Sequence, residues 1–145
     1  MSQFIPTLEQ LRLLRQRSVQ DLQLQLASQR QRCQRYESNI STLTSLAAGV
    51  QDSSEYNPVL MSNHSGYKRN IQRVIDWQKQ EQALAKTEAK KLQGALLAEA
   101  KREKSLELVL DGHKRAQALD RQRSEQKNTD AISAQCWLRQ RLAEQ

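Results

Sequence analysis

Apolar residues along the chain recur in a row whose steps alternate between three and four. Val19, Leu22, Leu26, Gln29, Cys33, Tyr36, Ile40, Leu43, Ala47 and Val50 make up this row, and only Gln29 is plainly polar. Such steps average 3.5 residues, the period at which the members of a coiled-coil seam stay on one side of a slightly underwound helix. Upstream, Leu8 and Leu11 continue the stripe after one extra four-residue step, a stutter. Thr7, just after Pro6, is placed to cap the start. The pattern predicts a first helix over about residues 7–50.

Between Gly49 and Gly66 the periodicity stops, and Ser, Asn, Asp and Gly cluster around Pro58. That composition marks a bend, expected over about residues 51–65. A second helix then runs from about residue 66 to about 141 with no further proline.

If the chain folds back at the bend, residues that face one another have position numbers with a nearly constant sum. The two apolar stripes meet this condition at 117 or 118. Val50 then faces Tyr67, Ala47 faces Ile71, Leu43 faces Val74 and Ile40 faces Trp77. Further out, Leu26 faces Leu92, Leu22 faces Leu96, Leu11 faces Leu106 and Leu8 faces Leu110, while Arg15 meets Glu103 as an ion pair. The expectation is therefore an all-α fold, a long antiparallel two-helix coiled-coil hairpin forming one domain over 1–145. The second helix overhangs at its C-terminus, because beyond about residue 112 it has no partner stretch. At 1.5 Å per residue, some 30 residues project up to ~45 Å. There the stripe decays into His113, Gln117 and Asp120, with Gly112 at the junction.

Composition sharpens this picture. With 37% hydrophobic and 4% aromatic residues, the chain lacks the large apolar side chains of a thick globular core. Leu, Gln, Ala, Arg, Lys and Glu dominate instead, all strong helix formers. Disorder is the competing reading of so polar a chain, but it does not require apolar residues in register. The net charge is +7, and the basic residues are spread along the chain among acidic ones. Nucleic-acid binders concentrate charge on one element beside base-reading residues. No nucleic-acid partner is expected; a solvated helical face or an acidic protein surface accounts for the charge. Cys33 and Cys136 have no neighbours at metal spacing, the N-terminus does not read as a signal peptide, and no run approaches the ~18 apolar residues of a spanning helix. A reduced, cytoplasmic protein without a transmembrane segment is expected.

Catalytic chemistry is missing from the sequence. It contains no phosphate-cradling glycine loop, nucleophile elbow or metal-spaced cluster, so no cofactor or metal is expected. His64 and His113 lie far apart in the hairpin, and a two-helix hairpin offers no dry concave pocket. An enzyme is excluded on these grounds. Trp77 falls on the expected seam and reads as packing. Trp137 lies in the overhang and reads as a binding anchor, since Trp is enriched at hot spots.

The stretch from Arg123 to Asp130 resembles a signature of the FliJ family of flagellar export proteins. The family carries an Arg, then an acidic residue, Gln and Lys, then Asp-Glu and an apolar residue. Arg123, Glu125, Gln126, Lys127, Asp130 and Ile132 fit this pattern, while Ala131 replaces the Glu and Gln135 stands where a basic residue often follows. The stretch from Arg32 to Glu37, followed by Ile40 and Leu43, is also similar. Along a helix Arg123, Lys127 and Asp130 share one face, with Glu125 and Gln126 to the side.

This resemblance implies a non-enzymatic component of the flagellar type III protein export apparatus, similar to the central stalk of a rotary ATPase. The implied partners are the export ATPase FliI hexamer, its regulator FliH, the export gate protein FlhA and export chaperones. The implied location is cytoplasmic, peripheral on the inner membrane at the flagellar base. The ATPase-binding end maps to Leu11, Arg15, Arg123, Glu125, Gln126, Lys127, Asp130 and Trp137, and the gate-binding face to Asn70, Val74, Trp77 and Glu81. The second mapping conflicts with the register above, which buries Val74 and Trp77 against the first helix. A stalk protein of a virulence secretion system and a generic structural coiled-coil adaptor remain open. So does self-association through the overhang.

Overall fold

The computed structural model describes residues 3–51 and 58–144. These residues form two helices, α1 (Phe4–Gln51) and α2 (Pro58–Ala143). Both begin earlier than the sequence pattern suggests. At α1 the reason is Pro6, which sits in the first turn, where a missing N–H costs nothing. Thr7 does not cap the helix. Its hydroxyl donates to Gln3 O at 2.7 Å, and its N–H bonds the same carbonyl at 3.3 Å, so Thr7 already lies inside the helix. Pro58 opens α2 for a related reason, its fixed φ suiting the first helical position. Residues 58–65 of the expected bend are thus helical, and the rest of the bend beyond Gln51 lies outside the described residues, as does the side chain of Val50.

The described residues gather into two compact units. One comprises residues 17–51 and 58–100, the other residues 3–16 and 101–144.

In the first unit, α1 and α2 run antiparallel, with Gln29 bonded to Ala85 and Asn39 to Gln78. The inner row of α1 is Val19, Leu22, Leu26, Gln29, Cys33, Tyr36, Ile40, Leu43 and Ala47, each buried or half-buried, as the 3.5-residue period predicts. The facing row of α2 is Lys68, Ile71, Ile75, Gln78, Gln82, Ala85, Ala89, Leu92, Leu96 and Glu99. The two rows mirror each other at a constant sum of 118, as Ala47 with Ile71 and Leu22 with Leu96 illustrate. Three expected pairings are overturned. Tyr67, Val74 and Trp77 are exposed, and Lys68, Ile75 and Gln78 take the inner places beside them.

Continuity decides this competition. The row through Ile71, Ile75 and Gln78 runs on in unbroken alternation to Ala85, Leu92 and Leu96. The row through Val74 and Trp77 leads to Glu81, Glu88 and Lys91, whose charges would have to be buried. Among the polar members of the inner row, Lys68 and Gln82 are only half-buried, and the buried Gln78 accepts at Oε1 from Asn39 Nδ2 at 3.4 Å. Gln29 similarly donates from Nε2 to Ala85 O at 3.2 Å. Glu99 is buried but is not without a partner.

In the second unit the inner row of α1 is Ile5, Leu8, Arg12 and Arg15, with Leu11 turned outward. The expected stutter is therefore absent. The alternation continues because Arg12 takes the place assigned to Leu11, laying its aliphatic stem along the seam and its guanidinium 3.9 Å from Glu107. Leu110 is 1% exposed and is the deepest side chain of the unit. Glu9 pairs with Lys114 at 3.0 Å, and Phe4 stands edge-on to His113 with ring centroids 4.8 Å apart. The antiparallel contact thus reaches residues 113–114, slightly past the expected limit near 112. From Arg115 onward every described residue of α2 is exposed. α2 passes through Gly112 without interruption.

Candidate functional site

The residues singled out in the sequence fall on two separate faces, one in each unit.

The first face lies on α2 in the unit of residues 17–100. Asn70, Val74, Trp77 and Glu81 follow steps of four, three and four, so they form one lengthwise row beside the seam. Asn70, Val74 and Trp77 are exposed and Glu81 is half-buried. Trp77, at 55% exposure, is a large aromatic presented to solvent and not packed into the seam. Sequence reasoning missed two members. Tyr67 and Leu84 continue the same row at both ends, and both are exposed. Their signal was present in the period, since 67, 70, 74, 77, 81 and 84 form an alternating series offset by one from the seam. Beside Glu81 and Leu84, a shallow groove is lined from α1 by Gln29, Arg32 and Tyr36. Apolar side chains interleaved with charge on a convex helix surface can hold a protein partner. They offer no enclosure for chemistry.

The second face lies on α2 in the other unit. The segment 115–143 keeps its helix without cover from α1. Its last turn carries Arg141, a cation placed well for the helix dipole, with its guanidinium 4.9 Å from the centre of the Trp137 ring. Arg123, Lys127 and Asp130 share one side, as expected. Gln126 joins them and does not lie to the side, because its Nε2 donates to Asp130 Oδ1 at 3.5 Å. Glu125 lies about a third of a turn or more away from this group at 100° per residue. Leu11 and Arg15 do not meet the signature. Arg15 is half-buried on the inner row, and Leu11 sits beside Arg12 at the level of Glu107. Arg123 lies about 14 Å and Trp137 about 35 Å beyond Lys114 along the axis.

Among the described residues no group of three or more His, Cys, Asp or Glu is placed to hold a metal ion. No described helix is long and apolar enough to cross a membrane. Cys33 is half-buried on the seam and Cys136 is exposed beside Trp137, and both are free thiols.

Comparison with known proteins gives one result. The family model described as flagellar FliJ protein matches residues 4–142, nearly the whole chain. No curated protein and no solved structure matches.

Proposed function

The chain belongs to the FliJ family of flagellar proteins, and from that premise we propose that it works as a non-enzymatic stalk in flagellar type III export. The uncovered C-terminal end of α2 docks in or at the mouth of the ring of the export ATPase FliI. Arg123 and Lys127 pair there with carboxylates, Gln126 and Asp130 supply hydrogen-bonding partners, and Trp137 is the apolar anchor. The row Asn70, Val74, Trp77 and Glu81, extended by Tyr67 and Leu84, contacts the export gate protein FlhA. The regulator FliH and export chaperones complete the set of partners, at the cytoplasmic side of the inner membrane.

The observation that supports this reading is the segment 115–143, a helix exposed on all sides that carries the stretch resembling a FliJ signature. A mixed-charge face without intrachain cover adds little to stability, because exposed ion pairs contribute only ~0–1 kcal/mol each. It suits docking, where polar contacts fix orientation and still permit release. A ligand that binds only the assembled hexamer draws subunits into it by mass action.

The test is the double substitution Arg123→Glu/Lys127→Glu, assayed for stimulation of ATP hydrolysis by purified FliI and for swimming motility. Both are expected to fall while the circular dichroism stays unchanged. Full stimulation by the double variant would remove this face from the mechanism. The gate contact is tested separately: Trp77→Ala is expected to weaken capture of the FlhA cytoplasmic domain without altering ATPase stimulation.

A further inference from the structure

The uncovered end of α2 carries a pattern that complements itself. Leu119, Arg123, Gln126, Asp130, Ser133 and Trp137 follow steps of four, three, four, three and four, and so form one straight row. Its two large apolar members stand near its ends and are well exposed, Leu119 at 48% and Trp137 at 56%. Its two charges, Arg123 and Asp130, are of opposite sign and stand two places apart in the row. The Gln126 amide already donates to the Asp130 carboxylate within the chain, so the two groups share this side.

Consider a second copy of the row laid against the first. In parallel, every residue meets itself: Arg123 opposes Arg123 and Asp130 opposes Asp130, which is repulsive at both positions. Antiparallel, inner positions pair when their numbers sum to 256. Leu119 of each copy then meets Trp137 of the other, Gln126 meets Asp130, and Arg123 meets Ser133. Arg123 lies one layer, about 4.5 Å along the axis, from the opposing Asp130, within reach of its long side chain. Lys127, on the flank, is level with the same carboxylate. Each Asp130 is thereby surrounded by Gln126, Arg123 and Lys127 of the other copy, and each large apolar group covers its counterpart. The row contains the elements of a two-fold symmetric interface, in which one patch serves both partners.

We propose that a second copy of this chain docks antiparallel on the exposed end of α2, with Leu119 against Trp137 and Asp130 held by Arg123, Gln126 and Lys127. The pairing stands on this row's own complementarity and not on the ring reading. The two uses exclude each other on one molecule, since both cover Arg123 and Trp137. With two apolar contacts and the rest polar, the dimer is weak and reversible. The same charges reject the parallel alternative.

Sedimentation equilibrium of the full chain tests the proposal with four proteins. The wild-type chain is expected to show a reversible monomer–dimer equilibrium. Asp130→Arg is expected to raise the dimer Kd about tenfold, the scale of two surface attractions turned into repulsions. The triple exchange Arg123→Asp/Lys127→Asp/Asp130→Arg restores opposite charges only in the antiparallel arrangement, and is expected to return the Kd to within about threefold of wild type. A wild-type chain that stays monomeric into the high-micromolar range overturns the proposal. So does a dimer indifferent to Asp130→Arg, the outcome for parallel pairing, where one like-charge layer merely replaces another. A triple variant as weak as Asp130→Arg likewise sinks the antiparallel register. Leu119→Asp, which leaves every charge partner in place, is expected to weaken the dimer as well, and its failure to do so removes the Leu119–Trp137 contact.

Discussion

Leu110 and Leu108 stand two residues apart on α2 with opposite environments, and substituting each by Ala tests the seam sharply. Leu110 is 1% exposed, Leu108 is 62% exposed. Removing a buried Leu side chain forfeits its transfer energy and leaves a cavity, together ~2–5 kcal/mol in well-packed proteins. Here the facing residues Ile5 and Leu8 are only half-buried, so the seam can close partly over the gap. The lower end of that range, ~2–3 kcal/mol, is therefore expected for Leu110→Ala. Leu108→Ala removes side-chain surface that is mostly hydrated already and replaces Leu by the best helix former, so its cost is below ~0.5 kcal/mol. Urea unfolding followed by circular dichroism measures both, with limited proteolysis at residues 3–16 reporting whether α1 lifts from α2 in this unit. Equal costs for the two substitutions would refute the register of this unit. A larger cost for Leu108→Ala would place the seam on the wrong side of the helix.

The same contrast applies in the other unit, where Ile75→Ala is expected to cost ~2–4 kcal/mol and Trp77→Ala less than ~1 kcal/mol by urea unfolding, although Trp is the larger side chain. Gly112 is helical, without positive φ, and a Cβ added there meets nothing within 4 Å. Gly112→Ala is therefore expected to stabilise by ~0.5–1 kcal/mol in thermal unfolding, and a loss of stability would mean the position needs a conformation only glycine tolerates. In amide hydrogen exchange at low protein concentration, residues 115–143 are expected to exchange faster than those around Leu106 and Leu110, because they lack lateral contacts. Uniform protection would contradict this.

How far the fold was legible follows from what each residue signals. The inner row from Val19 to Ala47 could be read directly, since its period is unbroken and most of its members are apolar. The errors came where an apolar residue stood next to the inner place. Leu11 outscores Arg12 on hydrophobicity, yet a long cation can line a seam with its methylenes and hold Glu107 with its end. Val74 and Trp77 outscore Ile75 and Gln78 as a pair. The choice depends on where each row leads over the next twenty residues, which a local reading does not weigh. The candidate faces were legible for the converse reason. A stretch with no partner at the matching sum has to be exposed, so the signature's setting could be deduced, whereas the row extending to Tyr67 and Leu84 needed the seam fixed first. The bend was misjudged because proline, a breaker inside helices, is well suited to opening one.

The polar members of the seam bear on function as well as on register. A row of Leu, Ile and Ala repeating every seven residues packs nearly as well when slid by one heptad. The Gln78–Asn39 amide pair of the unit comprising residues 17–100 does not. Gln29 Nε2 finds the Ala85 backbone carbonyl at 3.2 Å, a partner that every register supplies, whereas the buried Gln78 accepts from the side chain of Asn39. A heptad slip would take Asn39 away from the buried Gln78, at a cost of ~1–3 kcal/mol if that amide is left unsatisfied. Replacing Gln78 by Leu would deepen the core and remove that penalty. The seam therefore gives up some stability to fix one axial alignment, the best-attested use of polar residues at inner coiled-coil positions. Within this unit the alignment sets which α1 side chains lie beside the outward row of α2. Arg32 and Tyr36 flank Glu81 and Leu84 only in the observed register, and a slip of seven residues would bring Gln25 and Gln29, or Asn39 and Leu43, alongside instead. A surface built from two helices keeps its chemistry only as long as the helices cannot slide, and the buried Gln78, held by Asn39, resists that slide.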